Sequence, residues 1–367
     1  MHVAQLRIEH FRNHLDTCLD FTPGITAFVG NNGAGKSNIV EALSVVSQLK
    51  SFRAAHPGDM VTYGAQQAVV RAAIDRHSHV TNVDLMIGVG GVIQVNKDRV
   101  RLSRPRDIVG LLPTVTFCPE DLMIVKGSPS LRRNYLDDVA VLSDPANDIL
   151  LQQFDRILKQ RNILLKQIAT RHGGSGKSLA PDVAASLEVW NERYATVATR
   201  YAAQRDAIAR QLQEVVAKKY SEISGSHESA GFAYDPDWVH EGIEHALSHI
   251  QADEFRRGMT LVGPHRDDVE LTIDAANART HASQGQQRSL ALTLRLAAHA
   301  LLTHVLKISP VLLLDDIFSE LDPTRSRALI AALPSCQTVL TTAVEPPHTL
   351  VIERTYDVAH GHAARRV

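Results

Sequence analysis

The stretch Gly30-Asn31-Asn32-Gly33-Ala34-Gly35-Lys36-Ser37 constrains this chain more than any other feature. It fits the phosphate-binding pattern G-x-x-x-x-G-K-[ST]. Ile25-Thr26-Ala27-Phe28-Val29 before it reads as a buried strand, and Ile39, Val40, Leu43 and Val46 after it repeat at helical spacing. Strand, glycine loop and helix start are what the chemistry needs. Glycines let the backbone curl around phosphates and aim N–H groups inward, and the helix N-terminus adds a positive dipole end. Lys36 is placed to reach the β- and γ-phosphates of ATP, and the Ser37 hydroxyl to hold Mg²⁺.

With 367 residues the chain has room for one large domain or two smaller ones, at ~100–200 residues each. A formal net charge of −1 carries no global nucleic-acid signal, so any DNA contact must come from a local patch. Cys18, Cys118 and Cys336 lie far apart without metal-ligand spacing and read as reduced thiols of a cytoplasmic protein. No apolar run approaches the ~18 residues that span a membrane. The strand-like N-terminus carries no secretion signal.

Ala4, Leu6 and Ile8 alternate with Gln5, Arg7 and Glu9 as a half-buried strand. Residues 68–75, 79–89 and 92–95 read as further strands, with Val83, Leu85, Ile87 and Val89 on one face and a hairpin at Gly90-Gly91. An antiparallel layer is therefore expected beside the nucleotide unit. Lys97, Arg99, Arg101, Arg104 and Arg106 follow, with Asp98 the one acid among them. They could track a phosphate backbone, or form a solvated hairpin tip.

From about Pro129 to Tyr220, apolar residues recur at three- and four-residue steps, through Leu150, Phe154, Ile157 and then Val183, Leu187, Trp190, Tyr194. This predicts two long amphipathic helices, joined by a tip holding Gly176-Lys177-Ser178. That tip mimics a second phosphate loop, but helix rather than strand precedes it, so it reads as a linker. The expected division is a head, 1–125, a helical arm, 126–225, and the rest of the head, 226–367.

The turn Gly263-Pro264-His265-Arg266-Asp267-Asp268 is weak as a metal site and reads as structural or as a contact near the nucleotide. Ser283 or a neighbour would cap the helix opening at Gln284-Gly285-Gln286, leaving backbone N–H groups for an anion. Val311-Leu312-Leu313-Leu314 reads as a central strand delivering Asp315 and Asp316 to its C-terminal edge. Asp315 would hold Mg²⁺ directly or through water, and Asp316 would orient or deprotonate the attacking water. Asp322-Pro323 would start a helix as N-cap and first position.

Phosphate loop, Ser283-Gln284-Gly285-Gln286-Gln287, Asp315-Asp316 and the loop at residues 319–322 occur in the order of an ABC-type, SMC-like ATPase head. The chain most resembles the RecF family, through Phe11-Arg12-Asn13, Phe117-Cys118-Pro119-Glu120-Asp121-Leu122, Gly127-Ser128-Pro129, Arg132-Arg133 and residues 263–268. The resemblance implies an α/β fold, an ABC-type ATPase head with mixed sheet and antiparallel β-layer, carrying an inserted helical arm. It implies two heads closing around two ATP molecules, with residues 283–286 meeting the partner's γ-phosphate. It also implies binding to duplex DNA at single-strand gaps and to single-stranded DNA. Work with RecR and RecO, and help in loading RecA, follow from the resemblance in the same way. Of the basic stretch, Arg99, Arg101, Arg104 and Arg106 are the candidate DNA contacts. Two departures from most ABC heads stand out: Asp316 where a glutamate is usual, and Thr341-Thr342 where many place a histidine. A shorter acid sits farther from the water and suggests slow hydrolysis. The competing readings are a P-loop kinase, another SMC- or ABC-like ATPase, and the ATPase subunit of a transporter.

Overall fold

The computed structural model describes every residue except Ala54, His77, 173–178, 225–226, Glu320, Asp322 and Val367. The phosphate-loop mimic at Gly176-Lys177-Ser178 and the N-cap role of Asp322 lie outside the described residues. The chain forms two compact units. The first comprises Met1–Leu122, Lys218–Glu228 and Ser283–Val367, the second Met123–Ala217 and Ser229–Ala282. Residues 229–282, grouped with the head in the sequence reading, thus fall with the helical segment.

The first unit holds two sheets of six strands. One is antiparallel, in the order His14–Asp20, His2–Phe11, Gln67–Arg76, His79–Gly88, Ile93–Lys97, Val100–Arg101. The other runs His362–Arg365, Arg354–Ala359, Ile25–Val29, Thr338–Thr342, Val311–Leu314, Thr114–Phe117. Its first pair is antiparallel and the rest parallel, the pattern of an α/β sheet with one antiparallel edge. The alternation expected from residue 4 is shifted by a bulge between Val3 and Gln5, which turns Val3 inward with Leu6 and Ile8. Val89, expected on the buried face, lies past the strand end at Gly88 and is exposed.

The helix Lys36–Gln48 shares one apolar core with residues of both sheets. Its apolar spacing predicts a single buried face. Instead it is buried nearly all round, Glu41, Ser44 and Ser47 included. Gln337 ties the sheets together. It accepts from Val3 N–H at 2.7 Å and donates to the carbonyls of Val3 and Thr22 at 2.8 and 2.9 Å. Among the described residues one helix, Gln284–Leu306, is long and apolar enough to cross a membrane, but two thirds of its apolar stretch is buried within the protein.

The second unit is mainly helical: Pro129–Ser143, Ala146–His172, most of Pro181–Ser224, and Ile243–Arg257, with a three-stranded sheet of Ala230–Ala233, Glu270–Ile273 and Ala276–Asn277. Its helices are pinned by buried ion pairs. Arg161 meets Glu254 at 2.6 Å and Thr260 at 2.7 Å, and Arg205 meets Asp137 at 2.8 Å.

Candidate functional site

The parallel strands Ile25–Val29 and Val311–Leu314 end at the phosphate loop and at Asp315-Asp316, with Thr338–Thr342 paired between them. Asn32, Gly33, Gly35, Lys36, Ser37 and Asp316 line a cavity of about 290 Å³, joined by Asn38 and Arg53. Gly30, Asn31 and Ala34 serve the loop from behind. Lys36 Nζ donates to the carbonyls of Gly30 and Asn31 at 2.6 and 2.9 Å. The Ala34 carbonyl accepts from Asn13 Nδ2 and from Gly361 N–H. His14, fully buried, lies 3.0 Å from the Gly35 carbonyl, and burial lowers its pKa. Gly35 has φ 115°, and a Cβ there would sit 2.7 Å from Asn13 Oδ1.

The acidic side is equally fixed. Thr341 Oγ1 donates to Asp315 Oδ1 at 2.7 Å and accepts from Asp316 N–H at 2.9 Å. A threonine therefore positions both acids, at the end of the strand where the sequence lacks a histidine. Ser37 also hydrogen-bonds Asp315. Burial raises the Asp315 pKa and neighbouring Asp316 adds to it, while Ser37, Thr341 and Arg53 oppose the rise. Burial lowers the Lys36 pKa against the pull of Asp316 and Asp315. Asp316 adopts φ 49°, and its buried Oδ1 has no hydrogen-bond partner among the described residues. A strained acid with an orphaned oxygen, facing a lysine in a glycine cradle, fits a metal-bound triphosphate with its attacking water.

Two residues escaped the sequence reading. Glu41, 0% exposed, accepts from Arg12 Nε at 2.9 Å and Nη2 at 2.6 Å, and from Ser51 Oγ at 2.5 Å. Arg53 lies 3.6 Å from Glu41 and 3.7 Å from Asp315, with its guanidinium on the cavity wall. The available signal was the single acid of the helix Lys36–Gln48, among the apolar Val40, Ala42 and Leu43, followed by Lys50-Ser51-Phe52-Arg53.

Residues 283–286 are not among those lining this cavity. Ser283 caps its helix as expected: Ser283 Oγ accepts from Gln286 N–H at 3.2 Å, and Gln286 Oε1 accepts from Ser283 N–H at 2.7 Å. Gln286 Nε2 donates to Glu228 at 2.8 Å. Ser283 and Gln284 are exposed, and the first N–H groups of the helix have no intrahelical acceptor.

Lys97, Arg99, Arg101, Arg104 and Arg106 are all exposed, at and beyond the edge hairpin of the antiparallel sheet. The turn residues Asp98 and Arg99 have φ 49° and 68°, and Arg104 pairs with Asp107 at 3.1 Å. The turn at 263–268 is occupied by its own unit. Asp267 accepts from Tyr234 and Trp238, Asp268 pairs with Arg132, and His265 lies between Tyr194 and the Thr260 carbonyl.

The model of the RecF/RecN/SMC N terminal domain matches residues 2–365. The "DNA replication and repair protein RecF" of Frankia alni is 40% identical, with all of both chains covered. That of Streptomyces avermitilis is 36% identical, again over all of both. A solved structure described as "the recombination mediator protein RecF-ATP in RecFOR pathway" superposes with a TM-score of 0.89 at 27% identity, covering 100% of this chain and 98% of that one. An Smc head from Pyrococcus furiosus shares the fold at a TM-score of 0.57 and 17% identity, covering 100% and 96% of the two chains. The chain belongs to the RecF family of SMC-like, ABC-type ATPase heads of DNA replication and repair.

Proposed function

We propose that this protein is an ATP-dependent DNA-binding protein of cytoplasmic DNA replication, recombinational repair and the SOS response. Two heads close around ATP on gapped DNA, and slow hydrolysis opens them. On this reading the closed dimer acts with RecR and RecO to help load RecA. The carrying observation is the split site. Lys36, Ser37 and Asp316 face one cavity, while residues 283–286, of which Ser283 and Gln284 are exposed, line none of it. The positive dipole end of a second copy's helix start completes such a cavity.

Within the cavity, Lys36 leaves the Gly30 and Asn31 carbonyls and neutralises the β- and γ-phosphates. Ser37 and Asp315 are the residues to hold Mg²⁺, which supplies charge neutralisation when bound. Thr341 keeps Asp315 turned to Ser37 and fixes the Asp316 backbone. Asp316, on the cavity wall, orients the attacking water. Arg53 adds positive charge at the cavity wall and couples Asp315 to Glu41 beneath the loop. The exposed arginines 99, 101, 104 and 106 supply phosphate-backbone contacts.

The test is DNA binding by Lys36→Ala with and without ATP on a gapped duplex. Loss of the ATP-dependent part is expected. Undiminished ATP-dependent binding refutes the reading. Phosphoryl transfer to an acceptor other than water would instead favour the kinase.

A further inference from the structure

We propose that Glu241, His245 and His249 form a surface site for a zinc-class divalent cation, separate from the nucleotide cavity. One donor atom from each lies within 4.8 Å of the other two. All three side chains are exposed, and all belong to the second unit.

The backbone builds this grouping. Helix Asp237–Glu241 stops at Gly242, whose φ of 86° is left-handed and suits glycine. Helix Ile243–Arg257 restarts at once, with Ala246 N–H donating to the Gly242 carbonyl. His245 and His249 are four residues apart on that helix and therefore share a face. Their ring centroids are 4.1 Å apart, and His245 Nδ1 is 3.4 Å from Glu241 Oε2. The segment is anchored by Trp238, which is buried and donates to Asp267 at 2.7 Å.

The donors are also uncommitted. Among the described residues, the side chains of these three have no hydrogen-bonding partner outside the trio, although the His245 backbone carbonyl accepts from Ser248 Oγ at 2.8 Å. Several other histidines are already engaged. His14, buried, and His265, half-buried, lie against backbone carbonyls and hydroxyls, and His299 sits 3.0 Å from the Pro310 carbonyl. The neighbouring His240 pairs with Asp235 at 2.6 Å.

Two imidazole nitrogens and one carboxylate oxygen suit Zn²⁺, Cu²⁺ or Ni²⁺ rather than Mg²⁺ or Ca²⁺. Tetrahedral coordination at ~2.0–2.2 Å brings donors to about 3.3 Å of each other. The exposed side chains can close that gap by rotation. Three protein ligands leave the fourth position to water or to a donor from a partner.

The test uses the full chain, freed of metal, titrated with Zn²⁺ by calorimetry at pH 7.5 in excess Mg²⁺ to occupy the nucleotide site. One equivalent should bind. The single variants His245→Ala and His249→Ala should each weaken binding at least about tenfold, and the double variant should abolish it. Glu241→Gln should weaken it less. His240→Ala should leave it unchanged, and circular dichroism should show every variant folded. Binding that survives the double variant, or no binding by the wild type at about 100 μM Zn²⁺, overturns the assignment. So does equal loss in His240→Ala.

Discussion

Replacing Arg12 with methionine isolates the charge buried beneath the phosphate loop. Glu41 is 0% exposed and receives two hydrogen bonds from the Arg12 guanidinium, one from Ser51 and a weaker approach from Arg53 at 3.6 Å. Removing one partner of a buried pair costs ~3–5 kcal/mol, because the remaining charge stays desolvated. Ser51 and Arg53 remain, so the expected loss is at the lower end, about 3 kcal/mol. With a urea slope near ~3 kcal/mol/M, the midpoint should fall by about 1 M. The double variant Arg12→Met/Glu41→Leu removes both charges and should recover at least half of the loss. Urea unfolding of the wild type, both single variants and the double variant closes the cycle. A single-variant loss under about 1 kcal/mol, or a double variant as unstable as Arg12→Met, would refute the claim that Arg12 compensates a buried charge.

Acid should weaken the helical unit through His265. Burial lowers its pKa to about 4, and nearby Arg266, Arg133 and Arg161 add to the effect. The unfolded chain then binds more protons between about pH 6.5 and pH 4. Stability is full above that window and falls as pH drops through it. With partial exposure allowed for, the loss is about 2–3 kcal/mol by pH 4, and His265→Asn should flatten the pH profile in urea unfolding. Gly35→Ala forces φ 115° on a β-carbon 2.7 Å from Asn13 Oδ1, whereas Gly33→Ala meets open space at φ 80°. Fluorescent-nucleotide titration should therefore show the larger loss of affinity, at least about tenfold, for Gly35→Ala. Charge reversal at Arg101 and Arg104 should weaken DNA binding and flatten its dependence on salt, read by anisotropy across a salt series. Unchanged affinity would leave the stretch as solvated surface.

Local chemistry explains what the sequence disclosed. The phosphate loop needs a fixed glycine pattern between strand and helix, and Asp315-Asp316 follows an apolar run that only a central strand explains. Ser283 announced its helix start as a capping residue, and the structure adds a capping box with Gln286. Long-range partnerships left no such trace. Glu41 pairs with a residue 29 positions earlier, and Gln337 joins Val3 across 334 positions. Nothing near Thr341 signals that its hydroxyl will serve Asp315 and Asp316, 26 and 25 positions away. The buried polar face of helix Lys36–Gln48 was hidden too, because periodicity registers one packed face and the antiparallel layer covers the other. The C-terminal strands Arg354–Ala359 and His362–Arg365 were missed for a related reason. They are short and rich in alanine and charge, and their place comes from pairing: Arg354–Ala359 with Ile25–Val29, and His362–Arg365 with Arg354–Ala359.

Sedimentation velocity tests the split ATP site most directly. The purified chain is run with ATP, with ADP, and with ATP plus a gapped duplex, alongside Ser283→Arg. The account predicts a monomer with ADP, a dimer with ATP that co-sediments with the duplex, and a variant that stays monomeric throughout. A wild-type protein that remains monomeric in all three conditions, or a Ser283→Arg variant that dimerises as well as the wild type, would contradict it.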